Sequence, residues 1–374
     1  MKKPSFALLF FTLSACLSIL TLLKPAQLFS DREQRNLNQF SDVSLSSLYD
    51  GSFQAQSEKA LSDQFFLRDG FVQLQRHFQR LLGTRIINNV WIANPQLYQN
   101  SSPVDPKQIR QLSEVLNTFA IKNKKLRLDF LLVPTANGVI KNSLFPMLYE
   151  SQREVMHLFA QQLDPLYHTI DTLKVMDQNK DEPIFYQGDH HWTTYGAYTM
   201  FQAWQKERGF NDQVKYNKSI ANDAFYGTLS NASGIDRRDT VEIYTPIQNQ
   251  IKTMVTYVQE QKRTATLYDE SKQYSANPYE LFLGGNFARI DIQTTVENDR
   301  NLLLIKDSYA NCFIPFLVPY YHKIIVIDPR FYYDSLQSVV QTDHMTDILF
   351  LVNAHTLFQD SALYNLMNEE MNAK

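Results

Sequence analysis

Three apolar runs near the C-terminus, NLLLIKDS, KIIVIDPR and DILFLVNA, are each followed by a helix-length segment. No other feature narrows the fold of this chain as far. A run that is apolar at nearly every position suits a strand covered on both faces. Strand, helix, strand, helix, strand, helix predicts a parallel sheet with helices on either side. Right-handed crossovers carry the ends of all three strands to one edge, where ligands bind in such sheets. LRLDFLLVP, residues 126–134, adds an earlier strand, and a helix is expected near 151–163. The expected class is α/β with a mostly parallel sheet.

Polar residues stop those strands: Ser308, Asp328 with Arg330, and Asn353. Ser308 stands between an apolar strand and a helix start, a turn that exposes a hydroxyl and surrounds it with backbone N–H donors. Such a hydroxyl is a nucleophile if a base stands beside it, and an ordinary helix cap if none does. Asn353 is placed to donate its amide to an oxyanion, or is simply a loop asparagine. The base is sought in YQGDHHWTTYGAY, residues 186–198, where Asp189, His190, His191 and Trp192 are consecutive. An imidazole that takes a serine proton needs a carboxylate to orient it. In an extended segment Asp189 and His191 share a face and His190 points away. A helix is expected to follow, with Thr193 or Thr194 near its cap. Asp-x-His arises often by chance, so this spacing alone does not separate a triad from surface histidines. The alternative of a metal held by Asp189, His190 and His191 is weaker, because adjacent histidines in an extended chain diverge.

The N-terminus sets where this chemistry takes place. Lys2 and Lys3 precede an uncharged stretch over residues 5–23, about 28 Å long as a helix and close to a bilayer core. The lysines favour a cytoplasmic start, so a single-pass anchor at 1–24 puts the rest outside the cytoplasm. LSAC, residues 13–16, resembles a lipoprotein cleavage box, so a lipoprotein or a secreted form is the alternative. Residues 25–95 read as a membrane-proximal stalk and helical lead-in, with a helix from 53 to 82 ended by Gly83 and a strand in INNVWIA. The main domain is expected over 96–374, with an irregular polar insertion near 212–280. A net charge of −3 excludes the basic field that nucleic-acid binding needs. Of the two cysteines, Cys16 lies in the apolar run, which leaves no internal disulfide in the folded part.

DHHW at 189–192 together with IKDSYANCFIPFL at 305–317 resembles the DHHW family of exported bacterial proteins. FSDREQRNLNQF, LSDQFFLRD, NNVWIA, LFLGGN and IIVIDPRFYY fit the same family, so the resemblance covers nearly all of the chain beyond the anchor. That family is similar to the alginate O-acetylation proteins, which carry an SGNH-hydrolase-like domain. The resemblance implies an SGNH-hydrolase-like α/β/α sandwich and a triad of Ser308, His191 and Asp189. Lys306 stands where many SGNH enzymes have glycine before Asp-Ser. Asn353 is the first candidate for the oxyanion asparagine and Asn286 the second, while Arg330 and Trp192 are candidates to contact substrate. The implied function is O-acetyl transfer to cell-envelope or secreted polysaccharide through an acetyl-serine. A membrane-bound O-acyltransferase is the implied acetyl donor, and no cofactor is called for. A carbohydrate acetylesterase, or a polysaccharide-binding protein with a dead site in which the many aromatics stack on sugars, are the alternatives.

Overall fold

Leu304 of the Asn301–Lys306 strand lies in register between Val326 of Lys323–Ile327 and Leu349 of Asp347–Asn353, and Leu349 opposes Asp129 of Arg127–Val133. Tyr167–Thr169 extends this parallel set by one short strand. The protein is seen here as a computed structural model, which describes residues 6–30, 35–40, 42–210, 214–247 and 251–372. The parallel strands make up one side of an eight-stranded sheet. Antiparallel strands complete it: Arg289–Thr294 pairs with Lys323–Ile327, then come Thr253–Tyr257 and Lys262–Thr264. These last two arise in the polar stretch that the sequence leaves irregular. Only Val255 and Tyr257 of Thr253–Tyr257 are buried, so it lacks the continuous apolar run of a central strand.

Alternate positions of the parallel strands face different layers. Leu128, Phe130, Leu303, Ile305, Ile348 and Phe350 pack with helices Pro106–Lys122, Pro146–Gln162, Leu336–Thr342 and Ala362–Asn372. Asp129 and Asp347 face the other way. There Arg208, the last residue of helix Thr194–Arg208, bonds them at 3.0 and 2.5 Å. The chain therefore adopts the expected α/β sandwich with helices on both faces. The buried ion cluster fastens one end of helix Thr194–Arg208. The other end approaches the segment before Asp189 so closely that a Cβ on Gly196 would lie 2.3 Å from the Ile184 carbonyl oxygen. Thr193 caps this helix, its hydroxyl accepting the Gly196 N–H.

The stretch after Ser308 is not one helix. Turns of 3₁₀ helix, Ser308–Cys312 and Val318–Tyr320, flank a short α-helix at Ile314–Leu317. Pro315 and Pro319 lack the N–H groups a longer helix would use.

Residues 1–92 with 230–236 form a separate compact unit. Among the described residues, Phe6–Leu23 is the one helix long and apolar enough to cross a membrane. The helix expected over 53–82 is divided into Ser52–Gln64 and Arg68–Leu81. Phe65 leaves helical geometry at a ψ of 136° and ends the first helix, and Leu67, at a left-handed φ of 60°, stands just before the second. Gly83, also left-handed, follows the second as expected. INNVWIA holds part of a hairpin, not one strand. Ile86–Ile87 pairs with Val90–Ile92 across Asn88 and Asn89, both at positive φ as a type I′ turn requires.

Candidate active site

Phe185 and Trp192 pair as an isolated antiparallel bridge, which closes the residues between them into a loop. Asp239 pins that loop by accepting the N–H groups of Gln187 and Gly188 at 2.9 and 2.8 Å. Inside it, Asp189 Oδ1 accepts the His191 N–H at 3.0 Å, an Asx turn. This turn, rather than strand alternation, brings Asp189 and His191 together. It also keeps His190 beside them, with the two imidazole centroids 3.9 Å apart. The expectation that His190 points away is thus corrected, because the segment is folded and not extended.

His191 Nδ1 lies 2.5 Å from Asp189 Oδ1, and His191 Nε2 lies 2.7 Å from Ser308 Oγ. The serine arrives at the carboxyl end of the Asn301–Lys306 strand, in the first turn of a 3₁₀ segment. Tyr279 stacks on the His191 ring at 4.0 Å and donates its hydroxyl to the Ser308 carbonyl. Trp192 Nε1 donates to the Tyr309 carbonyl at 2.8 Å, while the Tyr309 hydroxyl donates to the His190 carbonyl. These reciprocal bonds lock the histidine loop to the serine turn. They also change the place of Trp192. It is fully buried and stacked on Phe313, so it positions the loop and has no surface for substrate.

Asp189 accepts two further donors on Oδ2, the Thr228 N–H at 2.7 Å and the Thr228 hydroxyl at 2.8 Å. Burial opposes the carboxylate charge, but the neighbouring imidazoles and these hydrogen bonds outweigh it and hold Asp189 far below the usual carboxylate range. Sequence reasoning missed Thr228 and its neighbour Gly227. Their only signal was a glycine-threonine pair in a polar stretch. A Cβ on Gly227 would lie 2.3 Å from Asp189 Cβ and 2.7 Å from its Cα, so only glycine lets Thr228 reach the carboxylate. Gly227→Ala is expected to cost about 1–3 kcal/mol through overpacking. Gly70→Ala, where nothing stands within 4 Å, is expected to be neutral or stabilising. Urea denaturation of both variants checks this.

Asn353 offers no free amide. It caps helix Ala354–Gln359 through Oδ1, and Nδ2 donates to Asp307 at 2.7 Å and to Thr356 at 2.8 Å. Asn286 is held differently. Its Oδ1 accepts Lys306 Nζ at 2.7 Å and Asn311 Nδ2 at 3.2 Å, and its own Nδ2 has no partner among the described residues. The Ser308 N–H is likewise unpaired there, as the first N–H of a helical segment is. Lys306, in the glycine place of other Asp-Ser turns, points into the protein to join Asp328 at 3.0 Å and Asn286. Arg330 holds Asp328 through two N–H groups, at 2.8 and 2.6 Å, with 27% of its side chain exposed.

Ligand atoms of Asp189, His190 and His191 come within 4.8 Å of one another. Asp189 uses both oxygens and His191 both nitrogens in the hydrogen bonds above. A cation would have to break that set to bind. What the arrangement can do chemically is move a proton between Ser308 and His191 while Asp189 keeps its charge.

Comparison with known proteins places the chain. Over 98 residues it is 33% identical to the alginate biosynthesis protein AlgX of Azotobacter vinelandii, which is 25% of this chain and 20% of that protein. The chain thus spans only about a fifth of the curated relative it matches. A DHHW family protein from Eubacterium siraeum superposes with a TM-score of 0.65 at 21% identity, over 77% of this chain and 97% of that one. Bacillus cereus PatB1, in a structure with a sulfonyl adduct, superposes with a TM-score of 0.61 at 18% identity, over 74% and 96%. The shared architecture is the expected SGNH-hydrolase-like α/β/α sandwich. The DHHW protein family matches residues 116–327, more than half of the chain and a span that holds Asp189, His191 and Ser308; the protein belongs to that family.

Proposed function

We propose that this protein is an exported SGNH-type serine O-acetyltransferase acting on cell-envelope or secreted polysaccharide. The observation that carries the reading is the continuous set Asp189–His191–Ser308, with 2.5 and 2.7 Å between its members. Ser308 Oγ attacks the acetyl carbonyl of the donor and its proton passes to His191 Nε2. The donor's leaving oxygen takes that proton, leaving acetyl-Ser308. A sugar hydroxyl then attacks, gives its proton to His191, and Ser308 regains it as the ester bond to Oγ breaks. The Ser308 N–H and Asn286 Nδ2 are the donors for the oxyanion, with Lys306 orienting Asn286. Arg330 lines the substrate side. Relationship to a protein of alginate biosynthesis supports polysaccharide as the acceptor class. The helix Phe6–Leu23 supports a single-pass anchor with the main domain outside, beside a membrane-bound O-acyltransferase that supplies the acetyl group. If water replaces the sugar, the same intermediate makes the protein an acetylesterase.

The test uses the full chain in mild detergent with an activated acetyl ester. Mass spectrometry of the rapidly quenched protein should find one acetyl group on the peptide bearing Ser308, and a sulfonyl fluoride should label the same hydroxyl. An acetylated wild-type chain with Ser308 unmodified would overturn the reading. Product analysis with an oligosaccharide present then separates transferase from esterase.

A further inference from the structure

His190 is left without a task by the serine chemistry, yet its protonation is decided by its surroundings. The Thr228 hydroxyl has one proton, and Asp189 Oδ2, an acceptor only, lies 2.8 Å away to receive it. Thr228 Oγ1 therefore has only lone pairs to offer His190 Nδ1, at 2.7 Å. His190 must carry its proton on Nδ1, which leaves a lone pair on Nε2. That nitrogen has no partner among the described residues, on a side chain that is 26% exposed. Burial, His191 and Arg330 push the His190 pKa down to about 4 against the pull of Asp189 and Asp307, so the lone pair persists at neutral pH. The other unpaired groups described here, Asn286 Nδ2 and the Ser308 N–H, are donors. His190 Nε2 is the acceptor among them.

We infer that His190 Nε2 receives a hydroxyl of the acceptor molecule next to the one that reacts, so that the site selects acceptors with neighbouring hydroxyls. The inference rests on the serine acyl transfer proposed above. The reacting hydroxyl cannot serve both imidazoles, because its single proton goes to His191 as the new ester forms. A second hydroxyl on the adjacent carbon can donate to His190. The two ring centroids stand 3.9 Å apart, close enough for one small acceptor to meet both imidazoles. Water and simple alcohols lack the second group, so acetyl-Ser308 would turn over more slowly with them. His190 is then a specificity-determining residue for the second half-reaction and not for the first.

The test uses the full chain in detergent, p-nitrophenyl acetate as donor, and two acceptors, a methyl glycoside with adjacent hydroxyls and its monodeoxy analogue. The wild type should release nitrophenol in a burst and acetylate the glycoside about tenfold faster than the analogue, the scale of one neutral hydrogen bond. His190→Leu should keep the burst within about threefold while the preference between acceptors disappears. His190→Gln, whose Oε1 can accept, should restore part of that preference. Unchanged preference in His190→Leu with an intact burst would overturn this inference and leave the serine reading standing. A burst lost as completely as the preference, in a variant that melts like wild type, would also overturn it, since His190 would then act on Asp189 through Thr228. A wild type without any burst would remove both readings.

Discussion

Ser308→Ala is expected to lower acetyl release and acetyl transfer by on the order of 10³-fold or more, because it removes the hydroxyl that the strand-to-turn position holds against His191 Nε2. His191→Ala should be nearly as damaging, since Ser308 then lacks a proton acceptor. The double variant should be no slower than the worse single one, because the two act as a unit. Asp189→Asn is a subtler change in this site. The amide oxygen can still face the His191 N–H and Nδ1–H, but its NH₂ group is then turned on the Thr228 N–H, which cannot rotate away. A loss of about 10²–10⁴-fold in kcat, with some loss of stability, is expected. Steady-state rates on an activated acetyl ester decide all of these. A Ser308→Ala chain with full ester activity would leave a binding or assembly role as the better account.

The second large effect concerns stability. Lys306 and Asp328 are both fully buried and 3.0 Å apart. Burial pushes the Lys306 ammonium below its ordinary pKa, while Lys306 and Arg330 overcome burial and hold the Asp328 carboxyl below the usual range. Asp328→Ala strands a buried ammonium with Asn286 as its remaining bonded partner, and about 3–5 kcal/mol of stability should be lost. Lys306→Met should cost less, about 1.5–3 kcal/mol, because Asp328 keeps both hydrogen bonds to Arg330. Urea denaturation followed by tryptophan fluorescence measures both. Equal losses would mean that Arg330 does not hold Asp328 in solution. Lys306→Met should also slow acetyl transfer beyond its effect on stability if Asn286 is the oxyanion donor it orients.

Much of the sheet was legible because its central strands are apolar at consecutive positions, a pattern that burial on both faces requires. Asn301–Lys306, Lys323–Ile327 and Asp347–Asn353 stand out for that reason, and their parallel pairing follows from the helices between them. The antiparallel edge was not legible. Strand Thr253–Tyr257 buries one face, and its polar residues look like loop when its neighbour Arg289–Thr294 is unknown. The helical stretch after Ser308 is interrupted where the sequence places Pro315 and Pro319, so it forms short segments at Ser308–Cys312, Ile314–Leu317 and Val318–Tyr320.

The same division runs through the site. By itself the sequence determined where the polar residues fall along the strands and that Asp189 and His191 are two apart, since these depend only on chain order and local periodicity. It could not determine that an Asx turn folds His190 back beside His191, because that turn is stabilised by Asp239 and Thr228, which are far along the chain. Nor could it show that Asn353, the candidate it puts ahead of Asn286, has its amide hydrogens taken. Each is an asparagine at a plausible edge, and the choice depends on which amide hydrogens are already taken. Tertiary structure decided which amide is free by placing Asp307 and Thr356 against Asn353 and the Lys306 ammonium against the oxygen of Asn286. A hydrogen bond satisfies whichever partner lies within about 3 Å, and sequence separation has no bearing on that distance.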